Sequence, residues 1–267
     1  MSANVNSEVN EPVLLCEDDN GVCTLTLNRP RQYNALSAEL LTQLQNAIDT
    51  ISEDDKIRVV IIAANGKAFC PGHDLKEMRS SEEKSFHQGL FAQCGKLMLS
   101  INQMPQPVIA QVNGIATAAG CQLVANCDLA VASEDARFAV SGINVGLFCS
   151  TPAVPLSRNL PRKQAMQMLL SGDFISAETA LYYGLLNEVV KADELQQATR
   201  VLADKIVAKS PLAIKLGKDM FYKQLPMDLS EAYAYAAEKM ACNMDSEDAR
   251  EGIDAFIEKR QPQWKGR

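Results

Sequence analysis

The residues best suited to chemistry follow a short apolar strand at Val108 to Val112. A turn at Asn113-Gly114 leads from this strand to a run of small residues and then to a helix predicted through Cys121 to Asn126. The small residues are Ala116, Ala118, Ala119 and Gly120. Small side chains let a ligand approach the backbone closely, and the first turn of a helix combines unpaired N–H groups with the positive end of the helix dipole. The segment therefore predicts a pocket that stabilises developing negative charge.

An upstream segment predicts the second half of such a pocket. The continuously apolar strand Val59 to Ala64 runs into a loop over residues 65–78. Within this loop a Pro71-Gly72 turn exposes the N–H group of the next residue, His73. One backbone donor from each segment would make a pair that binds an oxyanion.

Three ordered motifs resemble those of the crotonase superfamily, the enoyl-CoA hydratase/isomerase family. They are Asn28-Arg29-Pro30 followed by Asn34-Ala35-Leu36, the run from Ala68 to Met78, and the run from Val112 to Ala132. The resemblance extends over nearly the whole chain, from Val13 to Arg260. Two segments are most similar in sequence to the mitochondrial enoyl-CoA hydratase domain-containing proteins and their bacterial relatives. These segments are Ala116 to Leu123 and Gly146 to Pro152. The resemblance implies an α/β fold, a spiral of ββα units with a C-terminal helical region that mediates trimer formation.

The family's catalytic positions can be carried over by motif. The resemblance implies that the backbone N–H groups of His73 and Ala119 bind the thioester oxygen of an acyl-CoA. The two glutamates that activate water in family hydratases fall on Gln122 and Gly142, and neither residue can carry a proton at neutral pH. Because a positioned acid or base contributes about 10² to 10⁴ in rate, ordinary hydratase turnover is disfavoured.

Other groups could replace the missing acids. The His73 imidazole could serve as acid or base near neutral pH, although the alternative, in which only its backbone matters, is favoured. Cys149 and Ser150 lie where some relatives carry an aspartate, and they could orient water or, for the thiol, act as a nucleophile. Packing is the favoured reading for both.

Coenzyme A carries several phosphates, so its site needs cations even on an acidic protein. The resemblance implies Arg29 or Arg31 near the phosphates. It implies the backbone around Tyr33 and Ala35 and the carbonyl of Pro71 near the adenine. Further motif residues expected to border the cofactor are Gly72, Asp74, Leu75, Gly114 and Gly120, with a loop-holding role favoured for Asp74.

A neighbouring subunit is expected to complete this site. The resemblance implies that Phe256 and Lys259 reach in from that subunit, so homotrimers, paired into hexamers, are expected. The alternative for Lys259 is that it only complements the dipole at a helix end.

Coenzyme A is expected to enter as part of the substrate, and no permanently bound cofactor is expected. A metal site is not expected either, because no residue set has metal-ligand spacing.

The elements that must position these residues alternate between strands and helices. Val22 to Leu27 has the period of a half-buried strand, whereas Val59 to Ala64 reads as a strand covered on both faces. Further predicted elements are a helix behind the Ser37 cap, strands at Leu129 to Ala132 and Phe138 to Val140, a helix over Ala177 to Tyr183, and a strand-like segment at Leu185 to Val190. Helices are predicted at about Asp193 to Lys209, Leu212 to Tyr222, Leu229 to Asn243 and Glu247 to Arg260. The predicted organisation is a flexible terminus over 1–12, a core over 13–192 and a helical oligomerisation region over 193–267.

Composition excludes several classes of function. The 267 residues are 47% apolar and 22% charged, which suits one large globular unit. The net charge of −7 argues against a nucleic-acid surface, and no apolar run is long enough for a membrane span. Residues 1–10 lack the features of a presequence, so a cytoplasmic protein is predicted. The eight cysteines contain no CxxC pair and are predicted to be mostly buried free thiols.

The leading hypothesis is an acyl-CoA enzyme that stabilises a thioester enolate without the two hydratase glutamates. Isomerisation, thioester hydrolysis and decarboxylation all remain open as its reaction. A second hypothesis is a non-catalytic acyl-CoA-binding oligomer that kept the pocket, and a third is weak residual hydratase or isomerase activity.

Overall fold

The computed structural model describes residues 11–267. The predicted flexible terminus, and the segment on which the absence of a presequence rests, lie almost wholly outside the described residues. The strands are β1 Leu14–Asp19, β2 Val22–Leu27, β3 Val59–Ala64, β4 Ala68–Cys70, β5 Val108–Val112, β6 Ile115–Thr117, β7 Leu129–Ser133, β8 Arg137–Ala139, β9 Ile175–Ser176 and β10 Glu188–Val190. The helices are α1 Ala38–Ser52, α2 Leu75–Arg79, α3 Lys84–Gln103, α4 Ala119–Asn126, α5 Ser150–Asn159, α6 Arg162–Ser171, α7 Ala177–Tyr183, α8 Leu195–Val207, α9 Pro211–Gln224, α10 Leu229–Met244 and α11 Glu247–Glu258. Short 3-10 helices occur at Pro30–Gln32 and Ser141–Val145.

The strands form two sheets that the chain visits in turn. The larger sheet has the order β1-β2-β3-β5-β7-β10, and the smaller has the order β4-β6-β8-β9. The pairs β3-β4, β5-β6 and β7-β8 each place their first strand in the larger sheet and their second in the smaller, and helices follow each pair. This repetition confirms the predicted α/β spiral of ββα units.

The core lies between these layers. The strands β3, β5 and β7 are parallel neighbours, and such strands are covered on both faces, which explains their continuous apolar runs. All eight residues of α4 are buried, so the helix that follows the small-residue run is a core helix. The largest fully buried side chains include Phe69 on β4 and Phe138 on β8, which the smaller sheet holds on either side of β6.

The predicted C-terminal helices are present with ends shifted by a few residues. The first of them, α8, packs against β3, β5 and β7, whereas α9, α10 and α11 pack on one another. A partly buried ion pair fixes α9 to the core, because Lys218 Nζ lies 2.7 Å from Asp128 Oδ2 and also donates to the carbonyls of Ile101 and Gln106. Asp128 also accepts from the hydroxyl of Tyr222 and the N–H of Val108. Among the described residues, no helix is both long and apolar enough to cross a membrane.

Candidate functional site

The two backbone segments predicted to form the pocket lie directly against each other. Gly72 has a φ of +105°, a conformation that side chains rarely adopt. A Cβ atom at Gly72 would lie 2.9 Å from the Cβ of Ala118 and 3.2 Å from the amide nitrogen of Ala119. The turn before His73 and the start of α4 are therefore neighbours only because residue 72 has no side chain.

Two further glycines allow close backbone contacts with β4 and with the residue that precedes it. A Cβ atom at Gly120 would lie 2.0 Å from the carbonyl oxygen of Cys70, and one at Gly114 would lie 2.3 Å from the carbonyl oxygen of Lys67. Neither distance is compatible with a side chain. Both glycines, predicted as cofactor-bordering residues, are thus required by the packing of backbone on backbone.

Both predicted donors lack a protein acceptor. Among residues 11–267, no hydrogen bond is made by the N–H of His73 or by that of Ala119. Ala119 is 2% exposed and begins α4 behind Ala118, whose φ of 48° and ψ of −119° are sparsely populated for a non-glycine residue. Buried N–H groups without partners are rare, so an external acceptor at this place is expected.

The His73 side chain is also without a hydrogen-bond partner in the described chain. Both ring nitrogens are buried and unpaired, and the ring packs edge-on against Phe91 with 5.5 Å between centroids. Burial lowers the pKa of His73 below its usual value, and a weaker interaction with the Leu36 backbone opposes this shift, so the environment favours the neutral imidazole. It can accept or donate a hydrogen bond, but it is not a cation.

Gln122 stands where the motif resemblance places the first family glutamate. It is 3% exposed, and within the described chain its Oε1 atom has no hydrogen-bond partner. Its own N–H donates to the carbonyl of Ala118, one turn earlier. A buried amide with an unpaired oxygen can orient a polar group, but it cannot transfer a proton.

Gly142, where the motif resemblance places the second family glutamate, has no room for a side chain. A Cβ atom there would lie 2.6 Å from the carbonyl oxygen of Leu147 and 2.8 Å from Cys149 Sγ. The chain folds back on itself here, because the N–H of Leu147 donates to the carbonyl of Gly142 at 2.9 Å. The glutamate's space is therefore already filled by the loop that leads into α5.

The two candidate substitutes in this loop show no sign of activation. Cys149 is 7% exposed, and burial raises the pKa of its thiol. Ser150 is exposed, and its hydroxyl makes only a long 3.4 Å contact with the carbonyl of Phe148. These environments agree with the packing role that the sequence favoured.

Sequence reasoning missed a hydroxyl pair beside the first donor loop. Thr117 Oγ1 donates to the carbonyl of Pro71 at 3.1 Å and lies 3.1 Å from Ser141 Oγ. The pair links the Pro71-Gly72 turn to the residue that precedes Gly142. Threonine and serine are common enough that their linear positions carry no signal of this contact.

The loop at residues 29–36 is held from within by Arg29. Its guanidinium donates to the carbonyl of Ala35 at 2.5 Å and lies 3.2 Å from Asp74 Oδ2. Buried Asn34, in the left-handed region with a φ of 65°, donates to the carbonyls of Asn65 and Ala68. By contrast, Arg31 and Tyr33 are exposed on the surface of this loop.

Asp74 fixes the start of α2. Its carboxylate accepts from the N–H groups of Lys76 and Glu77. Partial burial raises the pKa of Asp74, but the hydrogen bonds from Arg29 and these N–H groups outweigh it and leave that pKa below its usual value. The next residue, Leu75, is 57% exposed. Asp74 therefore has the loop-holding role favoured from the sequence.

Phe256 and Lys259 lie on the C-terminal helices. Phe256 is 85% exposed on α11, and exposed Lys259 ends that helix with a φ of 59°. Neighbouring Arg260 pairs with Glu251 and Glu258. Phe256 thus presents an aromatic ring to the outside of the subunit.

Comparison with known proteins decides the family. The chain matches the enoyl-CoA hydratase/isomerase family over residues 17–267. The chain belongs to this family.

A rat protein named enoyl-CoA hydratase domain-containing protein 3, mitochondrial, is 48% identical over 244 residues, which cover 91% of this chain and 81% of the relative. The 2,3-dehydroadipyl-CoA hydratase of Escherichia coli is 36% identical over 92% of this chain and 96% of its own length. A solved structure of an enoyl-CoA hydratase from Mycobacterium smegmatis is 56% identical, with a TM-score of 0.94, and covers 95% of this chain and 99% of the other.

The predicted cytoplasmic location is wrong. Vertebrate members of the enoyl-CoA hydratase/isomerase family that are 46% to 48% identical to this chain are named as mitochondrial proteins, which points away from the cytoplasm. The prediction relied on a missing presequence in residues 1–10, and the absence of one kind of signal does not identify a compartment.

Proposed function

We propose that this member of the enoyl-CoA hydratase/isomerase family processes acyl-CoA thioesters by stabilising an enolate, without the proton transfers of two glutamates. One observation carries the proposal. The unpaired N–H groups of His73 and Ala119 belong to two segments that Gly72 holds in contact. A pair of fixed donors suits a thioester oxygen that gains negative charge in the reaction.

The electrostatics of the site favour such an oxyanion. Each well-placed donor contributes about 10² to 10³ in rate. The N–H of Ala119 also lies at the N-terminus of α4, where the helix dipole is positive. Since α4 is entirely buried, water screens this field only weakly, and the interaction is stronger than at a surface.

The missing acids limit the reactions that fit. Enolate formation by removal of a proton needs a base. The candidate left in the site is the neutral His73 imidazole, because the Gln122 amide cannot take up a proton. Enolate formation by loss of carbon dioxide needs no protein base. Decarboxylation of a malonyl-type thioester therefore fits these side chains best, because it requires no protein base. Isomerisation and thioester hydrolysis require more catalytic groups.

Coenzyme A binding is proposed on the exposed side of the 29–36 loop. Because Arg29 is already bonded to Ala35 and Asp74, Arg31 is the better candidate for the phosphates, with Tyr33 beside it. Phe256 and Lys259 would be supplied by a neighbouring subunit of a homotrimer or hexamer. The 85% exposure of Phe256 supports a role outside its own subunit.

A panel of enoyl-, 3-hydroxyacyl- and malonyl-type CoA thioesters tests this proposal. Turnover of at least one class is expected, and a Gly72→Ala variant should lose most of it, because the added methyl group forces the two donor segments apart. Gly95→Ala is the matched control, since a Cβ atom at Gly95 meets nothing within 4 Å. Absence of turnover for every class would refute the enzymatic proposal.

A non-catalytic acyl-CoA-binding oligomer is the second candidate. The filled space at Gly142 favours it, because the site there has no room for a catalytic side chain. Calorimetry with acetyl-CoA and crotonyl-CoA would support this candidate if both bind tightly while the panel shows no turnover.

A further inference from the structure

A hairpin far along the chain from the donor segments gathers three side chains that ligate metals. The strands β1 and β2 are joined by Asn20 and Gly21, whose φ values of 51° and 81° are those of a type I′ turn. This two-residue turn fixes the register, in which Asp18 lies directly opposite Cys23. Cys16 lies two residues before Asp18 and therefore on the same face of the hairpin.

The ligand atoms of these residues converge on one point. One donor atom from each of Cys16, Asp18 and Cys23 lies within 4.8 Å of the others, and the two sulfur atoms are 3.4 Å apart. Two thiolates bound to one tetrahedral Zn²⁺, with Zn–S near 2.3 Å, lie about 3.8 Å apart. Only a small rotamer adjustment separates the observed arrangement from that spacing.

Charge and exposure also fit a cation. In the described chain Asp18 forms no ion pair, whereas Asp19, on the opposite face, pairs with Arg200. Cys16 and Asp18 are exposed and Cys23 is buried, so an ion would be anchored on the inside and open to water on the outside. Two thiolates and one carboxylate prefer Zn²⁺ and similar thiophilic dications over Mg²⁺ or Ca²⁺.

A disulfide explains the cluster less well. The register pairs Cys16 with Leu25 and places Cys23 diagonally across the ladder. Diagonal neighbours have Cα atoms about 7 to 8 Å apart, beyond the usual span of a disulfide. A disulfide also leaves the position of Asp18 without a role.

We propose that Cys16, Asp18 and Cys23 form a site for a thiophilic divalent cation such as Zn²⁺, with water as the fourth ligand. The site lies on the edge hairpin, outside the donor segments of the pocket, so it is a structural clamp rather than part of the acyl-CoA chemistry. The linear spacing of the three residues matches no metal motif, and only the hairpin register brings them together. The proposal departs from the expectation, drawn from the linear sequence, that the chain has no metal site.

Titration of the chelator-treated full-length protein with Co²⁺ tests the site. One equivalent per chain should bind with a thiolate-to-cobalt charge-transfer band, and Zn²⁺ should displace it. Cys16→Ser should abolish the band, and Asp18→Asn should weaken binding at least about tenfold, as the loss of a ligand does. Both residues are exposed, so these variants keep the fold. Cys242→Ser, which removes the other exposed thiol, is the matched control and should bind as the parent does.

Thermal unfolding gives an independent measurement. Because an ion that binds only the folded state raises its stability, Zn²⁺ should raise the unfolding midpoint of the parent and of Cys242→Ser, but not of Cys16→Ser. Equal binding by parent and Cys16→Ser would overturn the proposal. The proposal would also be overturned if the untreated protein bound no Co²⁺ and peroxide treatment then formed a disulfide, which mass spectrometry detects as the loss of two hydrogens.

Discussion

Helices α4 and α5 pack against each other, yet the segments that lead into them differ in what they offer a substrate. Near the start of α4, three glycines permit backbone contacts that a single methyl group would prevent. Within residues 11–267, the N–H groups of His73 and Ala119 make no hydrogen bond. Around α5, the loop from Gly142 to Cys149 closes on itself and fills its own interior with a carbonyl and a thiol. The first region is the one proposed to receive an anion, whereas the second contains no carboxylate over residues 142–149.

The difference separates two parts of catalysis that usually occur together. Stabilising an oxyanion depends on backbone geometry, which Gly72 and Gly120 enforce. Proton transfer depends on ionisable side chains. Gln122 has an amide that cannot transfer a proton, and Gly142 has no side chain. A family member can therefore keep the first function while its reaction changes, and the two regions can be tested separately.

Gly120→Ala should have the largest effect. The new methyl group would lie 2.0 Å from the carbonyl oxygen of Cys70, so β4 and α4 must separate. We expect a loss of roughly 1 to 3 kcal/mol in the free energy of unfolding from overpacking, together with loss of acyl-CoA turnover or binding. Urea unfolding and calorimetry measure the two effects.

Gly217→Ala is the control for this prediction. A Cβ atom there meets nothing within 4 Å, and alanine in the middle of α9 should leave stability unchanged or raise it by about 0.5 to 1 kcal/mol. If Gly120→Ala behaved like Gly217→Ala, the close contact between β4 and α4 would be required neither for stability nor for acyl-CoA turnover or binding.

Restoring the glutamates should distinguish missing side chains from a reshaped loop. If the acids alone were absent, Gln122→Glu with Gly142→Glu would raise crotonyl-CoA hydration by about 10² to 10⁴. Because residue 142 has no room beside Leu147 and Cys149, we expect less than about a tenfold gain and a lower unfolding midpoint. Steady-state hydration rates of the double variant and of Gln122→Glu alone test this, and a gain of several decades would show that the loop adapts.

The pH dependence of stability should report on His73. Its pKa in the folded protein is lowered by burial, whereas in the unfolded chain it is about 6.5. Below about 6.5 the unfolded state therefore binds more protons, so stability falls as the pH falls toward the folded value. This dependence of the unfolding free energy on pH corresponds to a difference of at most about one bound proton, and it should disappear in His73→Gln.

His87→Gln provides the comparison, since these are the chain's two histidines. His87 Nε2 lies 2.9 Å from the carbonyl of Met78, and this variant should keep the slope. Chemical unfolding at pH 5, 6, 7 and 8 measures it. An unchanged slope in His73→Gln would mean that the imidazole is solvated in the folded protein.

The sequence predicted the site's backbone better than its side-chain environment. Motif order and small residues predicted donors at His73 and Ala119, and their role as donors stays a prediction. The close contact between their two segments was predictable because it depends on glycines, which the sequence shows directly. The closure of the loop at Gly142 could not be predicted, because it depends on where Leu147 and Cys149 return in space. The internal bonding of Arg29 was hidden for the same reason, since Asp74 is 45 residues away.

Local signals explain which elements were found. Long apolar runs such as β3 and β5 were predicted to the residue, whereas β4, β6 and β9, with two or three residues each, are too short for periodicity to detect. The hairpin of β1 and β2 was missed although Asn20-Gly21 is a strong turn signal. The convergence of Cys16, Asp18 and Cys23 on that hairpin was missed with it.

Cys149→Ala should have the smallest effect. Burial raises the pKa of this thiol, and a protonated buried thiol is inert, so turnover should change by less than about threefold. Removal of a true nucleophile would instead lower kcat by about 10⁶. Cys94→Ala removes a buried thiol from α3 and corrects for the loss of packing alone. If Cys149→Ala were inactive while Cys94→Ala was not, the loop before α5 would hold the chemistry that its closed geometry argues against.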